Sequence, residues 1–167
     1  PKYRGPNPLN WVLLNSEEYT GVTVHKLVKE IDSGGILLQR KYKILQFQCL
    51  GELFKELAFL SGSMAKDIIK LYESNDLKFL SQDESKMTYL KKPFALNNVN
   101  EDTDVKVLLN RLRAFVPFPG LNFNFKNVEY RIISYDVSKK SDNKSGNIIH
   151  KATKKVFLVQ TDDNEVI

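Results

Sequence analysis

The chain has 167 residues, 42% hydrophobic and 27% charged, enough for one globular domain with its own core or a domain and part of a second. That balance excludes disordered, collagenous and miniprotein classes. The longest apolar runs, such as Trp11-Val12-Leu13-Leu14, fall far short of the roughly 20 residues a bilayer span needs, so a soluble chain with no membrane partner is expected. No basic-then-apolar leader precedes Pro1-Lys2-Tyr3-Arg4-Gly5, so no secretory signal is expected. The single cysteine, Cys49, favours a reducing compartment, the cytoplasm.

The formal net charge of +5 has one source. Between Lys139 and Lys155 lie six lysines (139, 140, 144, 151, 154 and 155) against one acid, Asp142. Such a loop can steer a polyanion, and it can equally be a solvated surface segment. Only five of the 25 basic residues are Arg, the better reader of phosphates, and the solvated reading carries more weight.

From Pro1 to Asn15, the spacing of Pro1, Gly5, Pro6 and Pro8 predicts an irregular loop, with a short helix from Leu9 to Leu14. Thr20 to His25 has the β-branched content of a strand. A turn at Asp32-Ser33-Gly34-Gly35 leads to a second strand, Ile36 to Ile44, with Leu38, Arg40, Tyr42 and Ile44 on one face. Leu50, Leu53, Phe54, Leu57, Met64, Ile68 and Leu71 recur at helical steps, predicting one amphipathic helix or a helix bent at Ser61-Gly62-Ser63. Ser74 to Asp104 is polar and reads as a linker pinned at Tyr89-Leu90 and Pro93-Phe94. Val105 to Phe115 carries another helical stripe, stopped by Pro117 and Pro119-Gly120. After Gly120 the period becomes two, in Leu121-Phe123-Phe125 and Val128-Tyr130-Ile132, and Val156 to Val159 is another strand candidate. A turn at Thr161-Asp162-Asp163-Asn164 then precedes a restarting strand.

The residue types alone offer little chemistry. There is no glycine-rich phosphate loop, no Cys/His metal spacing and no serine nucleophile elbow. His25 and His150 are far apart in sequence, and each reads as a structural residue. Asp32, before Ser33-Gly34-Gly35, is either a carboxylate at the mouth of a sheet, where α/β ligands collect, or a turn-forming aspartate bonded to its own backbone.

Several blocks in fixed order carry a resemblance: Pro1-Lys2-Tyr3-Arg4-Gly5, Pro8-Leu9-Asn10-Trp11, Thr20 to His25, and Ile31-Asp32-Ser33-Gly34-Gly35-Ile36. They resemble the signature of the 10-formyltetrahydrofolate-dependent formyltransferases. Arg113-Ala114-Phe115-Val116-Pro117-Phe118-Pro119-Gly120 is similar to the junction between that family's catalytic domain and its C-terminal β barrel. The implied fold is α/β: the C-terminal part of a Rossmann-like formyltransferase domain in residues 1–100, a linker helix and junction in 101–119, and part of an OB-like β barrel in 120–167.

The same resemblance implies 10-formyltetrahydrofolate as formyl donor, with an amine attacking the formyl carbon. Asp32 matches the family's catalytic Asp, which orients a histidine from an Asn-x-His pair and favours its charged form. In the family that pair lies just before the block on which this sequence opens, so 167 residues without it should not be competent alone. The segment Val28, Lys29, Glu30, Ile31 and Asp32 matches the loop that contacts the folate pterin, largely through backbone groups. His25 matches a family position other than the catalytic histidine. Two departures stand out: relatives acting on nucleotide sugars often carry Arg directly after YRG, where Pro6 stands here, and Asn97-Asn98-Val99-Asn100 replaces an acidic-x-x-Ile-Asp-Trp pattern.

Pro8 to Asn15 and the His25 strand ending are similar to the enzymes that formylate nucleotide-linked amino sugars, the expected substrate. The alternative acceptor is methionyl-tRNA, favoured by the lysine loop in the domain those enzymes use to hold RNA. A noncatalytic binding module derived from the fold is a third reading. The resemblance also admits a homodimer.

Overall fold

The computed structural model describes residues 2–100, 102–125 and 127–135, and beyond them the backbone of four two-residue strands within 138–166. Helix α1 spans Pro8–Leu14 and starts with its proline at the first helical position, where the missing N–H costs nothing. It leads into strand β1, Tyr19–His25, which pairs antiparallel with β2, Ile36–Lys43. The alternation expected along β2 is present: Leu38, Arg40 and Tyr42 are half-buried while Gln39, Lys41 and Lys43 are exposed. Gly21 is required where the strands approach, because a Cβ there would lie 2.3 Å from the Arg40 carbonyl oxygen.

Helix α2, Leu50–Glu73, runs as one element through the serine-glycine-serine stretch. The Ser61 and Ser63 hydroxyls donate to the Ala58 and Leu60 carbonyls one turn back and so are paired without interrupting the helix. Its start is a capping box, with the Glu52 carboxylate accepting from the Cys49 N–H at 2.9 Å. Its inner face buries Leu53, Leu57 and Met64, and Asp67 pairs with Arg40 to tie the helix to β2.

The segment from Leu77 to Leu90 is more than a pinned linker. Leu80 exchanges two backbone hydrogen bonds with Ile36, of 2.7 and 2.8 Å. Farther along, the Thr88 carbonyl accepts from the Arg4 N–H and the Leu90 N–H donates to the Arg4 carbonyl. The segment therefore straps the N-terminal loop to the start of β2.

Asn98–Asn100 forms β3, which lies parallel to β4, Leu121–Phe125; β4 in turn pairs antiparallel with β5, Val128–Ile132. Helix α3, Val105–Phe115, crosses from β3 to β4 and is capped by the Asp104 carboxylate on the Val107 N–H. It is a core element. Leu108, Leu112 and Phe115 share one cluster with Val12 and Leu13 of α1, Leu53 of α2 and Leu121 and Phe123 of β4, all at most 4% exposed. Farther on, Ser138–Lys139 pairs with Glu165–Val166, and Ile148–Ile149 with Leu158–Val159. His150, the Thr161 to Asn164 turn and the lysines of the basic loop other than the Lys139 backbone lie outside the described residues. No helix among the described residues is long and apolar enough to cross a membrane.

Candidate functional site

A cleft of about 660 Å³ opens between the N-terminal loop, the start of α1 and the β1–β2 hairpin, and Asp32 stands in its wall. That volume lies within the range of roughly 300–1,000 Å³ usual for small-molecule sites. Local chemistry places the aspartate. β1 and β2 are joined by residues 26–35, and the Lys26 N–H closes the loop on the Gly35 carbonyl at 2.9 Å. Only glycine fits at position 34, where a Cβ would meet the Lys26 carbonyl oxygen at 1.7 Å. Asp32 has φ of 53°, in the left-handed region that aspartate tolerates better than most residues.

The Asp32 carboxylate has a neighbour at each oxygen. Oδ2 accepts from the Gly5 backbone N–H at 3.0 Å, and Oδ1 lies 3.8 Å from His25 Nε2. The other ring nitrogen, His25 Nδ1, lies 3.1 Å from the Lys26 carbonyl, so the ring sits between that carbonyl and Asp32. Asp32 is 46% exposed, so one side of the carboxylate stays open to the cleft.

Behind the loop, Gln82 Nε2 donates to both the Asp32 and the Gly34 carbonyls at 2.8 Å. Its Oε1 accepts from Arg4 Nη2 at 2.8 Å, and Arg4 forms a bidentate pair with Glu84 at 2.9 and 2.7 Å. Arg4 is only 7% exposed. Its hydrogen bond to Glu84 raises the guanidinium pKa and lowers that of the carboxyl. At the outer wall, Glu17 accepts from both Lys2 and the Tyr3 hydroxyl, which together hold its carboxyl below the usual range. Lys41 sits 3.5 Å above the Tyr19 ring.

Of the residues singled out in the sequence, Asp32 lines the cleft, while Val28, Lys29, Glu30 and Ile31 form the exposed tip of the loop beside it. His25 ends its strand as expected and also faces Asp32. Gln82, Glu84 and the Gly5 N–H were not singled out, since no local pattern marks a side chain that reaches across some 50 positions; the one hint was Arg4, inside the YRG block. Among the described residues no group of three or more His, Cys, Asp or Glu could hold a metal ion.

Residues 1–69 match the formyl transferase family and residues 98–167 the formyl transferase C-terminal domain family. The chain is 32% identical to the methionyl-tRNA formyltransferase of Thermotoga maritima over 99% of its length, covering 53% of that protein. It is 28% identical to the methionyl-tRNA formyltransferase of Staphylococcus aureus, covering all of this chain and 54% of the relative. The chain thus spans about half the length of the curated relatives it matches. Among solved structures, 99% of the chain superposes on 61% of a Helicobacter canadensis N-formyltransferase in complex with folinic acid and dTDP-3-aminofucose, at TM-score 0.76 and 20% identity. It superposes equally on 29% of Aquifex aeolicus HypX in complex with tetrahydrofolic acid, at TM-score 0.76 and 22% identity. These likenesses show a shared mixed α/β fold.

Proposed function

The chain belongs to the formyltransferase family, and from that premise we propose that the complete protein moves a formyl group from 10-formyltetrahydrofolate to a primary amine. The observation that carries this is the placement of Asp32: a half-exposed carboxylate in the wall of a ligand-sized cleft, fixed by a backbone N–H and by a loop that only glycine can close. As the amine nitrogen bonds to the formyl carbon, the bond from that carbon to N10 of the folate breaks and one proton passes from the amine to N10. Asp32 orients the imidazole that carries this proton, the histidine of an Asn-x-His pair in the complete protein, and stabilises its charged form. The loop Val28 to Asp32 takes the pterin through backbone groups, consistent with its exposed side chains beside the cleft. The strand pairs beyond residue 135 belong, in this reading, to a partial OB-like barrel.

The acceptor we assign is a nucleotide-linked amino sugar, on the Pro8 to Asn15 block of α1, whose Leu9 and Val12 line the cleft. The second reading, methionyl-tRNA, is favoured by the 32% identity to a methionyl-tRNA formyltransferase over nearly the whole chain. Assaying the full-length protein with 10-formyltetrahydrofolate separates the two. Formation of an N-formyl sugar from a dTDP- or UDP-linked amino sugar is expected. Salt-sensitive binding and formylation of methionyl-tRNA without sugar turnover would establish the second reading, and transfer to neither would overturn the enzyme assignment.

A further inference from the structure

We propose that Gln82 is the positioning residue for Asp32, and that the strap carrying it is part of the catalytic apparatus; this rests on the formyl-transfer reading of the site. Three independent contacts close a ring. The Gln82 amide nitrogen holds the Asp32 and Gly34 carbonyls at 2.8 Å, its amide oxygen is held by Arg4 at 2.8 Å, and Gly5, the residue after Arg4, donates its N–H to the Asp32 carboxylate at 3.0 Å. The Arg4-Gly5 pair therefore governs Asp32 twice, at its side chain directly and at its backbone through Gln82. Such support adds to a conformation that aspartate tolerates at positive φ but that costs more than an ordinary one. Arg4 has little freedom of its own, being buried and clamped by Glu84 two residues along the strap. The division of labour within the one side chain is specific: the oxygen takes orientation from Arg4, and the nitrogen passes it to the loop.

That division supplies the test. In the full-length protein, Gln82→Glu keeps the oxygen that Arg4 holds and removes both donors to the Asp32 loop, whereas Gln82→Ala removes everything. Both variants are expected to lose about 10- to 100-fold in kcat for formyl transfer, with KM for donor and amine within about threefold of the parent, since small displacements of a catalytic group cost rate before they cost binding. Retention of kcat by Gln82→Glu would overturn the proposal, because it would leave Gln82 a structural partner of Arg4. A lowered melting midpoint with unchanged kcat in both variants would overturn it equally. Should the parent protein transfer no formyl group, the functional reading fails by itself and hydrogen exchange decides the positioning. The Gly5 amide, which closes the ring on Asp32, and the Lys26 amide, which closes the 26–35 loop on Gly35, are expected to exchange about tenfold faster in both variants while α2 and α3 exchange as before; unchanged protection at these two amides would overturn it.

Discussion

The Asp32 cleft and the cavity at the junction of α2, α3 and β5 use similar polar groups to opposite ends. At the junction, a cavity of about 440 Å³ has Tyr135 in its wall and the half-buried Arg113 close behind. There the Arg113 and Tyr135 side chains donate to main-chain carbonyls of one short loop: Arg113 Nε to Gln48 at 3.2 Å, Arg113 Nη2 to Leu45 at 3.4 Å, and the Tyr135 hydroxyl to Phe47 at 2.8 Å. Burial pushes the Arg113 guanidinium down and the Tyr135 hydroxyl up, so desolvation dominates at both. In the cleft Gln82 likewise fastens a loop by its carbonyls, but the Asp32 carboxylate that this loop carries, bonded by the Gly5 N–H at one oxygen, stays half open. A polar group spent on the backbone fastens a loop, and one braced from behind with a free face can act on a ligand.

The sharpest way to break this contrast is Asp32→Asn in the full-length protein. It keeps the shape and an acceptor for the Gly5 N–H while removing the charge, and kcat for formyl transfer is expected to fall by about 100-fold or more with the far-ultraviolet spectrum unchanged. Next in size, Gly34→Ala forces the loop to open against the Lys26 carbonyl. A loss of about 1–3 kcal/mol in urea unfolding is expected, together with lost turnover, since the displaced backbone carries Asp32. Tyr135→Phe tests the other side. Loss of one hydrogen bond to Phe47 should cost about 1 kcal/mol and leave kcat untouched.

The smallest effect is the pH dependence of the same tyrosine. Its folded pKa is raised above the ordinary value of 10.0, so its contribution is complete below about pH 10 and is lost as pH rises from there toward the folded value. Comparing urea midpoints of the parent and Tyr135→Phe on either side of pH 10 should show the parent's advantage shrinking in alkali.

What the sequence disclosed follows from the range of the forces involved. Helices α2 and α3 and the β1–β2 alternation are written in periods of a few residues, because each element buries one face. Asp32 was legible through its neighbours, as Ser33-Gly34-Gly35 after it marks a turn and the ordered blocks mark a family. β3 left almost no trace, being three residues long with only Val99 buried. The strap around Gln82 left none, because its hydrogen bonds join positions 50 and 78 residues apart, and polar composition reads the same whether a segment is solvated or spent on bracing. The closeness of His25 to Asp32 likewise depends on where the loop folds back, beside the register shift between Val24 and His25, which composition does not encode.

The shared core has an evolutionary consequence. Val12, Leu13 and Leu53 come from the stretch matching the formyl transferase family, and Leu108, Phe115, Leu121 and Phe123 from the stretch matching its C-terminal domain, yet all pack in one cluster. A volume change on one side must be answered on the other, since contacting core residues are energetically coupled. The two stretches are therefore poor cassettes. A chimaera spliced at residue 97 would inherit two half-cores that had never been fitted together.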